Sequence, residues 1–530
     1  MQFHPNWIKQ KVDQHKVDLV ALAVLLIAAI KFVHDLESSI DIGLFDETSY
    51  LGRGTELIRL GLPQAQDSPL YAIWYYILSL VQPDRVGLYF LNYKLMTILP
   101  PLLAYIVLRR NHVSARLSLV VSWFLLVFGG YAYIWPKVNH FTLSVILMTF
   151  IVASFGSKSH LVVSLIVSLG ALLASFVHPE FFITFVLSLA LLTLLLIIDF
   201  KKLDKRSYIG LAVFGLTTAA LIATLGVPLN NNRSLAAFGQ HFATNWVGWN
   251  GSPLNPMTDW QQIVAMNFGS AKSIEEAFFN NPAAFFRHVG MNLRGVPRAI
   301  YQSEFASFIP MDKFSELVAG LCLILLFVVY YSRARKNWPI HKKLLLLIGI
   351  FLIPEIISVI VIYPREHYLL IPSFLALVGL TILIAGNQTE ELADYKYLLL
   401  LGLFLASITP YYSHPIKVKQ PTLTNIYFMQ SLNINKPVQM LEGAGGYCIY
   451  LNSNCSTVWS YDKNTGFQSF LTRERINFIF LDATILTDPR YKDDPEWQEF
   501  LLHYDQFGFQ QLSIPMTDTK LIIQNALLIR

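Results

Sequence analysis

The chain has 530 residues, of which 54% are hydrophobic and only 14% charged, where soluble proteins average about 25% charged. That shortfall, with a mean hydropathy of +0.46, excludes an ordinary soluble enzyme, and a 14% aromatic content excludes a disordered or low-complexity fibre. The net charge of +5 comes from Lys and Arg set beside apolar runs instead of gathered in one basic domain, so it reports membrane topology and not a nucleic-acid partner.

A helix needs about 20 mostly apolar residues to cross the hydrocarbon core. The first such run covers residues 17–33. Lys9, Lys11 and Lys16 precede it and no small-residue cleavage site follows, so it reads as a retained span with a cytoplasmic N-terminus. An exterior loop of about residues 35–83 comes next. It opens on Phe45-Asp46-Glu47-Thr48-Ser49-Tyr50. Adjacent carboxylates raise each other's pKa and at least one needs a partner. Asp46 and Glu47 could serve as a general base toward a hydroxyl or as metal ligands, or they could simply cap a helix starting near Ser49. Residues 69–81 are apolar but too short to span, and Trp74, Tyr75 and Tyr76 suit an interfacial helix. Residues 49–60 read as a second one.

Further spans are expected at residues 86–108, 117–134, 141–155, 161–177, 181–198, 208–227, 314–331, 344–362, 368–385 and 397–412, about eleven in all with the first. The short turns assigned to the cytoplasm collect Arg109, Arg110, Arg116, Lys158, Lys201, Lys202, Lys205, Arg206, Arg333, Arg335, Lys336, Lys342 and Lys343, as the positive-inside rule requires. The turn at residues 387–394 is acidic and breaks the pattern. A second exterior loop covers about residues 228–313; its Trp246, Trp249 and Trp260 suit either sugar stacking or an interfacial position.

Ionisable residues are scarce within the spans and gather at the exterior ends. Lys137 and His140, His178 and Glu180, and Arg365, Glu366 and His367 lie there with Asp46 and Glu47. Arg365 could grip a lipid phosphate bidentately, anchor the interface, or pair with Glu366. Lys137 could hold a phosphate or snorkel from its span end. His140, His178 and His367 with Asp46 and Glu180 could hold a divalent metal ion, although no ligand spacing fixes such a site or its metal.

Beyond residue 412 the hydropathy period changes. Residues 477–481 and 520–523 read as strands and 495–504 as a helix, which makes residues 413–530 a small exterior α/β domain. Of the three cysteines, Cys448 and Cys455 flank the turn-like Asn452-Ser453-Asn454 and suit either a hairpin disulfide or two free thiols. Cys322 lies within a span.

The whole is an α-helical polytopic membrane protein with interfacial helices. Residues 1–412 form the transmembrane module and 413–530 the exterior domain. In this setting the Asp46-Glu47 pair followed by Tyr50 and Gly52, and the late run Arg365 to Pro372, resemble the polyprenyl-phosphate-sugar-dependent membrane glycosyltransferases of the GT-C fold, in particular the protein O-mannosyltransferase and aminoarabinose transferase branch. The resemblance covers most of the chain. It departs from the family at Glu366 and His367, which stand between Arg365 and Tyr368 where the family has Arg-Tyr.

The resemblance implies a sugar moved from a polyprenyl-phosphate donor to a lipid, glycan or protein acceptor on the exterior face; the lack of a cleaved leader and the compact loops point to a bacterial inner membrane. It implies Asp46 as general base, with Glu47 supporting the acceptor or a metal. Arg365 and Lys137 would hold the donor phosphate, and His178, Glu180, Tyr50, His140 and His367 would line the substrate site. Membrane lipids are the other expected partners, and nucleic acid is not one. The rival reading is a lipid-linked-glycan flippase or transporter, which predicts charge buried within the spans. Another exterior membrane transferase or ligase is a third.

Overall fold

The computed structural model describes residues 5–127, 130–156, 159–199, 203–228, 231–304, 325, 328, 332, 345–385, 395–412, 419–434, 436–443, 445–451, 454–458, 466–488 and 491–528. The expected span at 314–331, apart from residues 325 and 328, and the acidic turn at 387–394 lie outside the described residues. Among the described residues, seven helices are long and apolar enough to cross a membrane: His15–Ser39, Arg85–Arg110, Val138–Phe155, Phe181–Ile198, Ser207–Leu225, Leu345–Ile362 and Glu366–Ala385. Ala115–Val127, His160–Ser175 and Tyr395–Ile408 are apolar but shorter. Helix is what such sequences must adopt in lipid, because hydrocarbon offers the backbone no partner outside its own segment. The protein is thus an integral membrane protein.

The chain divides into two compact units. One comprises the residues up to His34, Gly61–Tyr71 and Tyr93–Tyr411; the other comprises Asp35–Leu60, Ala72–Asn92 and the residues from Tyr412 onward. In the first, buried Leu143, Ile146, Leu147, Phe150, Ala171, Leu172, Phe374 and Val378 form the centre of the helical core. Ile197 and Leu216 stay 71% and 73% exposed on their helices, as side chains facing lipid do. One partly buried ion pair in this unit joins two of its helices: Asp18 Oδ1 accepts from Arg109 Nε at 2.6 Å and from Tyr105 Oη at 2.8 Å. Lys31 Nζ donates to the carbonyls of Ala406 and Ser407, which end a helix and lack partners along it.

The second long loop belongs to the first unit and folds into helices Asn231–Asn250, Trp260–Phe268, Ile274–Asn280 and Pro282–Glu304. They share a small core of Phe238, Phe242, Ile263, Phe268 and Phe285, and Trp246, Trp249 and Trp260 pack against it. Packing therefore accounts for these tryptophans.

In the second unit, strands β1 (Val438–Glu442), β2 (Cys455–Val458), β3 (Phe478–Leu481), β4 (Phe509–Ser513) and β5 (Lys520–Gln524) form one sheet in the order β2-β1-β3-β5-β4. β2, β1 and β3 run parallel, while β5 is antiparallel to both β3 and β4. Phe467, Phe470, Trp497 and Phe500, from the helices Phe467–Arg473 and Pro495–His503, pack with Ile479 and Ile522 of the sheet. The expected strands and helix of this region are present. β1, β2 and β4 are additional, and the last two are edge strands whose ladders come from a neighbour and not from their own apolar content. The Cys448–Cys455 disulfide is formed, with Cα atoms 5.5 Å apart. It does not close a hairpin, because Cys448 lies in the short helix Tyr447–Tyr450 and Cys455 opens β2.

Candidate functional site

The sequence-predicted residues fall into separate groups. Asp46, Glu47 and Tyr50 lie in the second unit, on the helix Asp46–Thr55. The residue at its N-cap position is Phe45, in the left-handed region at φ 70° and ψ −117°, a strained conformation for a bulky side chain that only surrounding contacts can hold. Asp46 is thus the first residue of the helix and not its cap. Glu47 is 1% exposed. Its Oε1 accepts from Tyr75 Oη at 2.5 Å and from Asn92 Nδ2 at 2.9 Å. Asn92 Nδ2 also donates to Tyr75 Oη at 2.8 Å, and Asn92 Oδ1 accepts from Trp74 Nε1 at 2.8 Å.

The next residue is tied down too: Thr48 Oγ1 donates to the Gly43 carbonyl at 3.1 Å and stands 2.9 Å from Tyr450 Oη. Burial pushes the Tyr450 phenol above its ordinary pKa, so it stays protonated as the donor to Thr48. Gly54 lets the helix touch its neighbour, since a Cβ there would lie 2.3 Å from Tyr75 Cβ. Tyr50 is buried at the same helix, whereas Asp46 is exposed. The pair thus divides into one carboxylate locked in a hydrogen-bond network and one presented outward, at a helix N-terminus whose dipole favours negative charge.

Lys137 and His140 form a second group, in the first unit. Lys137 is fully buried. Its ammonium donates to the Ala132 carbonyl at 2.7 Å and lies 4.0 Å from the Tyr93 ring centre. His140 Nε2 lies 2.6 Å from the Tyr131 carbonyl and 3.4 Å from Lys137 Nζ. Burial between a carbonyl and an aromatic face, not snorkelling, accommodates this lysine.

The third group gathers His178, Glu180, Arg365 and His367, and adds residues that sequence reasoning missed. His178 and Glu180 sit in the turn between the helices His160–Ser175 and Phe181–Asp199. The turn is braced by Ser68 Oγ, which donates to the Val177 carbonyl at 2.6 Å. His178 Nδ1 lies 2.5 Å from Glu180 Oε1. Thr184 Oγ1 donates to the Ile350 carbonyl at 3.2 Å and pins the helix Leu345–Ile362 alongside. That helix brings in Glu355, so that one ligand atom each from His178, Glu180 and Glu355 lies within 4.8 Å of the others. His367 is within electrostatic reach of Arg365, His178, His241 and Glu180. Arg365 itself is exposed and, among the described residues, makes no ion pair with Glu366.

The approach to Arg365 is shaped by the second loop. Residues Ser358–Ile362 form a π-helical turn, which leaves backbone carbonyls misaligned for the regular ladder. His288 Nε2 donates to the carbonyls of Val361 and Ile362 at 3.1 Å each, while Asn292 Nδ2 donates to the Ile360 carbonyl at 3.0 Å. Asn245 Nδ2 lies 2.9 Å from His288 Nδ1, fixing that ring's tautomer. Next to this clamp, His241 stacks on Tyr363 with ring centres 4.9 Å apart. Burial, then the Arg365 charge and then His288, hold His241 down to about 3, and burial holds His288 down to about 4. Both are neutral at physiological pH. Of these residues only Glu355 carried a usable signal, as a lone carboxylate in an apolar run.

No protein-family model matches the chain, and no curated protein matches its sequence. Two solved structures are similar to it in shape. The oligosaccharyltransferase of Archaeoglobus fulgidus in its apo form is 10% identical, with a TM-score of 0.41, over 87% of this chain and 69% of that one. The oligosaccharyltransferase AglB from the same archaeon, in complex with an inhibitory peptide and a dolichol-phosphate, is 12% identical, with a TM-score of 0.43, over 99% of this chain and 75% of that one.

Proposed function

We propose that this protein is a membrane glycosyltransferase of the GT-C type. It moves a sugar from a polyprenyl-phosphate donor to an acceptor hydroxyl on the exterior face of a bacterial inner membrane, with the N-terminus in the cytoplasm. The observation that carries the reading is the split Asp46-Glu47 pair. Glu47 is held by Tyr75 and Asn92, which locks the start of the helix and leaves the neighbouring Asp46 carboxylate exposed on a rigid base. Asp46 takes the acceptor's proton as the acceptor oxygen attacks the anomeric carbon. The bond from that carbon to the phosphate oxygen breaks and the polyprenyl phosphate leaves with the electron pair. A sugar phosphate already has a good leaving group, so the protein chiefly positions the reactants and balances the phosphate charge.

Arg365, exposed beside the neutral His241, is the residue assigned to that phosphate. Lys137 already has its charge answered by Ala132 and Tyr93. Glu47 acts as a positioning residue. The buried Glu355 within a span is the one observation that favours the flippase or transporter reading, in which no bond is broken.

The test is turnover of a panel of radiolabelled polyprenyl-phosphate sugars by the purified protein, with Asp46→Asn as control. Release of polyprenyl phosphate from one donor by the wild type, lost in the folded variant, is the expected result. Donor translocation across proteoliposomes without bond cleavage would replace this reading with the transporter one.

A further inference from the structure

We propose that His178, Glu180 and Glu355 form a binding site for a divalent transition-metal cation, Mn²⁺ or Zn²⁺, in the helical unit. The site goes beyond the transfer reaction and does not depend on it.

The argument starts from Glu355. It is fully buried, and neither of its carboxylate oxygens has a hydrogen-bond partner among the described residues. A buried carboxylate left in that condition is expensive, and natural folds nearly always answer it with a donor or a cation. Glu355 points at two other ligand-bearing side chains, with one atom of each of the three within 4.8 Å of the rest. Ligand atoms around a cation bonded at about 2.0–2.2 Å stand roughly 3–4.4 Å apart, so movements of a few tenths of an ångström close the set.

His178 adds to the case. Its Nδ1 is buried and lies 2.5 Å from Glu180 Oε1, yet makes no hydrogen bond of acceptable geometry. A protonated His178 would answer Glu180 electrostatically but would leave both oxygens of Glu355 unanswered. One cation held between the three answers all of them.

The donor set names the class of ion. One imidazole nitrogen and two carboxylates give two negative charges, which match a divalent cation. Mixed nitrogen and oxygen ligands suit Mn²⁺ or Zn²⁺ better than Ca²⁺ or Mg²⁺, which favour oxygen alone. Access is one-sided: the side chains of His178 and Glu180 are 12% and 22% exposed, while Glu355 closes the inner end. The backbone holds the ligands in place, through the Ser68–Val177 and Thr184–Ile350 bonds.

The experiment uses the full chain, purified in detergent and stripped with EDTA. It is titrated with Mn²⁺ followed by electron paramagnetic resonance of the free ion, and with Zn²⁺ in competition. Binding of one Mn²⁺ per chain, displaced by Zn²⁺, is expected. Glu355→Gln, which keeps the side-chain shape, should weaken it at least tenfold, and His178→Gln and Glu180→Gln should do the same. Glu366→Gln, an exposed neighbour outside the set, should bind like the wild type. No binding of either ion by the folded wild type would overturn the proposal, as would undiminished binding by Glu355→Gln. If Glu355→Gln fails to fold, the His178 and Glu180 variants decide by the same criterion. Because binding is read without any sugar donor, a protein that takes up Mn²⁺ but transfers no sugar would sink the proposed function and leave the site standing.

Discussion

Two buried glutamates in this protein have opposite surroundings. Glu47 is reached by the hydroxyl of Tyr75 and the amide of Asn92, with Trp74 behind them. Glu355 is as deeply buried, but its oxygens have no donor among the described residues. The first is an internal brace, complete within the protein, whose effect is to hold an exposed neighbour in place. The second is incomplete by itself, and its nearest companions are two more ligand-bearing side chains. A buried charge is therefore informative mainly through what does or does not answer it.

The contrast can be broken most directly at Asp46, the residue that the Glu47 brace presents. Asp46→Asn is expected to lower transfer by at least about 100-fold, the usual worth of a general base, with an unchanged circular dichroism spectrum. Full activity in that variant would remove the base from the mechanism. Arg365→Ala should raise the KM for the lipid donor by roughly tenfold, the worth of one charge-assisted contact, with little change in the acceptor KM. Equal changes in both would show that Arg365 supports the fold and not the donor phosphate.

The brace itself is tested by Glu47→Ala, which removes the carboxylate that accepts from the Tyr75 hydroxyl and the Asn92 amide. The expected cost is about 1–3 kcal/mol, seen as a drop of several degrees in the thermal midpoint in detergent. In EDTA, Glu355→Gln should leave that midpoint unchanged or higher, because it removes an unanswered carboxylate. A fall as large as that of Glu47→Ala would mean that Glu355 has internal partners and that the two glutamates are alike.

The smallest effect concerns pH. His241 and His288 are held down to about 3 and about 4 in the folded protein, against about 6.5 when unfolded. The unfolded chain therefore takes up protons that the folded chain refuses between about pH 6.5 and 4. Their contribution to stability is complete above pH 6.5 and is lost as the pH falls through that window. Thermal midpoints measured from pH 7 to 4.5 should decline, with a shallower slope in His288→Gln; parallel slopes would exclude His288 as a source.

Much of the fold can be read along the chain because membrane burial is a local matter. A run of about 20 apolar residues carries its own requirement to be helical. Residues 181–198 and 368–385 accordingly coincide with helices Phe181–Ile198 and Glu366–Ala385. β3 and β5, buried at their centres, are legible for the same reason. The short edge strands β2 and β4 are not, because pairing with β1 and β5 creates them.

By itself the sequence determined the membrane class, the apolar helices, the carboxylate pair of the first loop and the ionisable residues at the span ends. Those features follow from composition and short-range pattern. Only the tertiary structure decided that Glu47 is braced and Asp46 exposed, since Tyr75 and Asn92 lie 28 and 45 residues further along the chain. It likewise decided that Lys137 is answered internally by Ala132 and Tyr93. Glu355 meets His178 and Glu180 for the same reason. Such meetings depend on which helix faces which, set here by contacts such as Thr184 to Ile350, and the helical period of one segment holds no record of its neighbour.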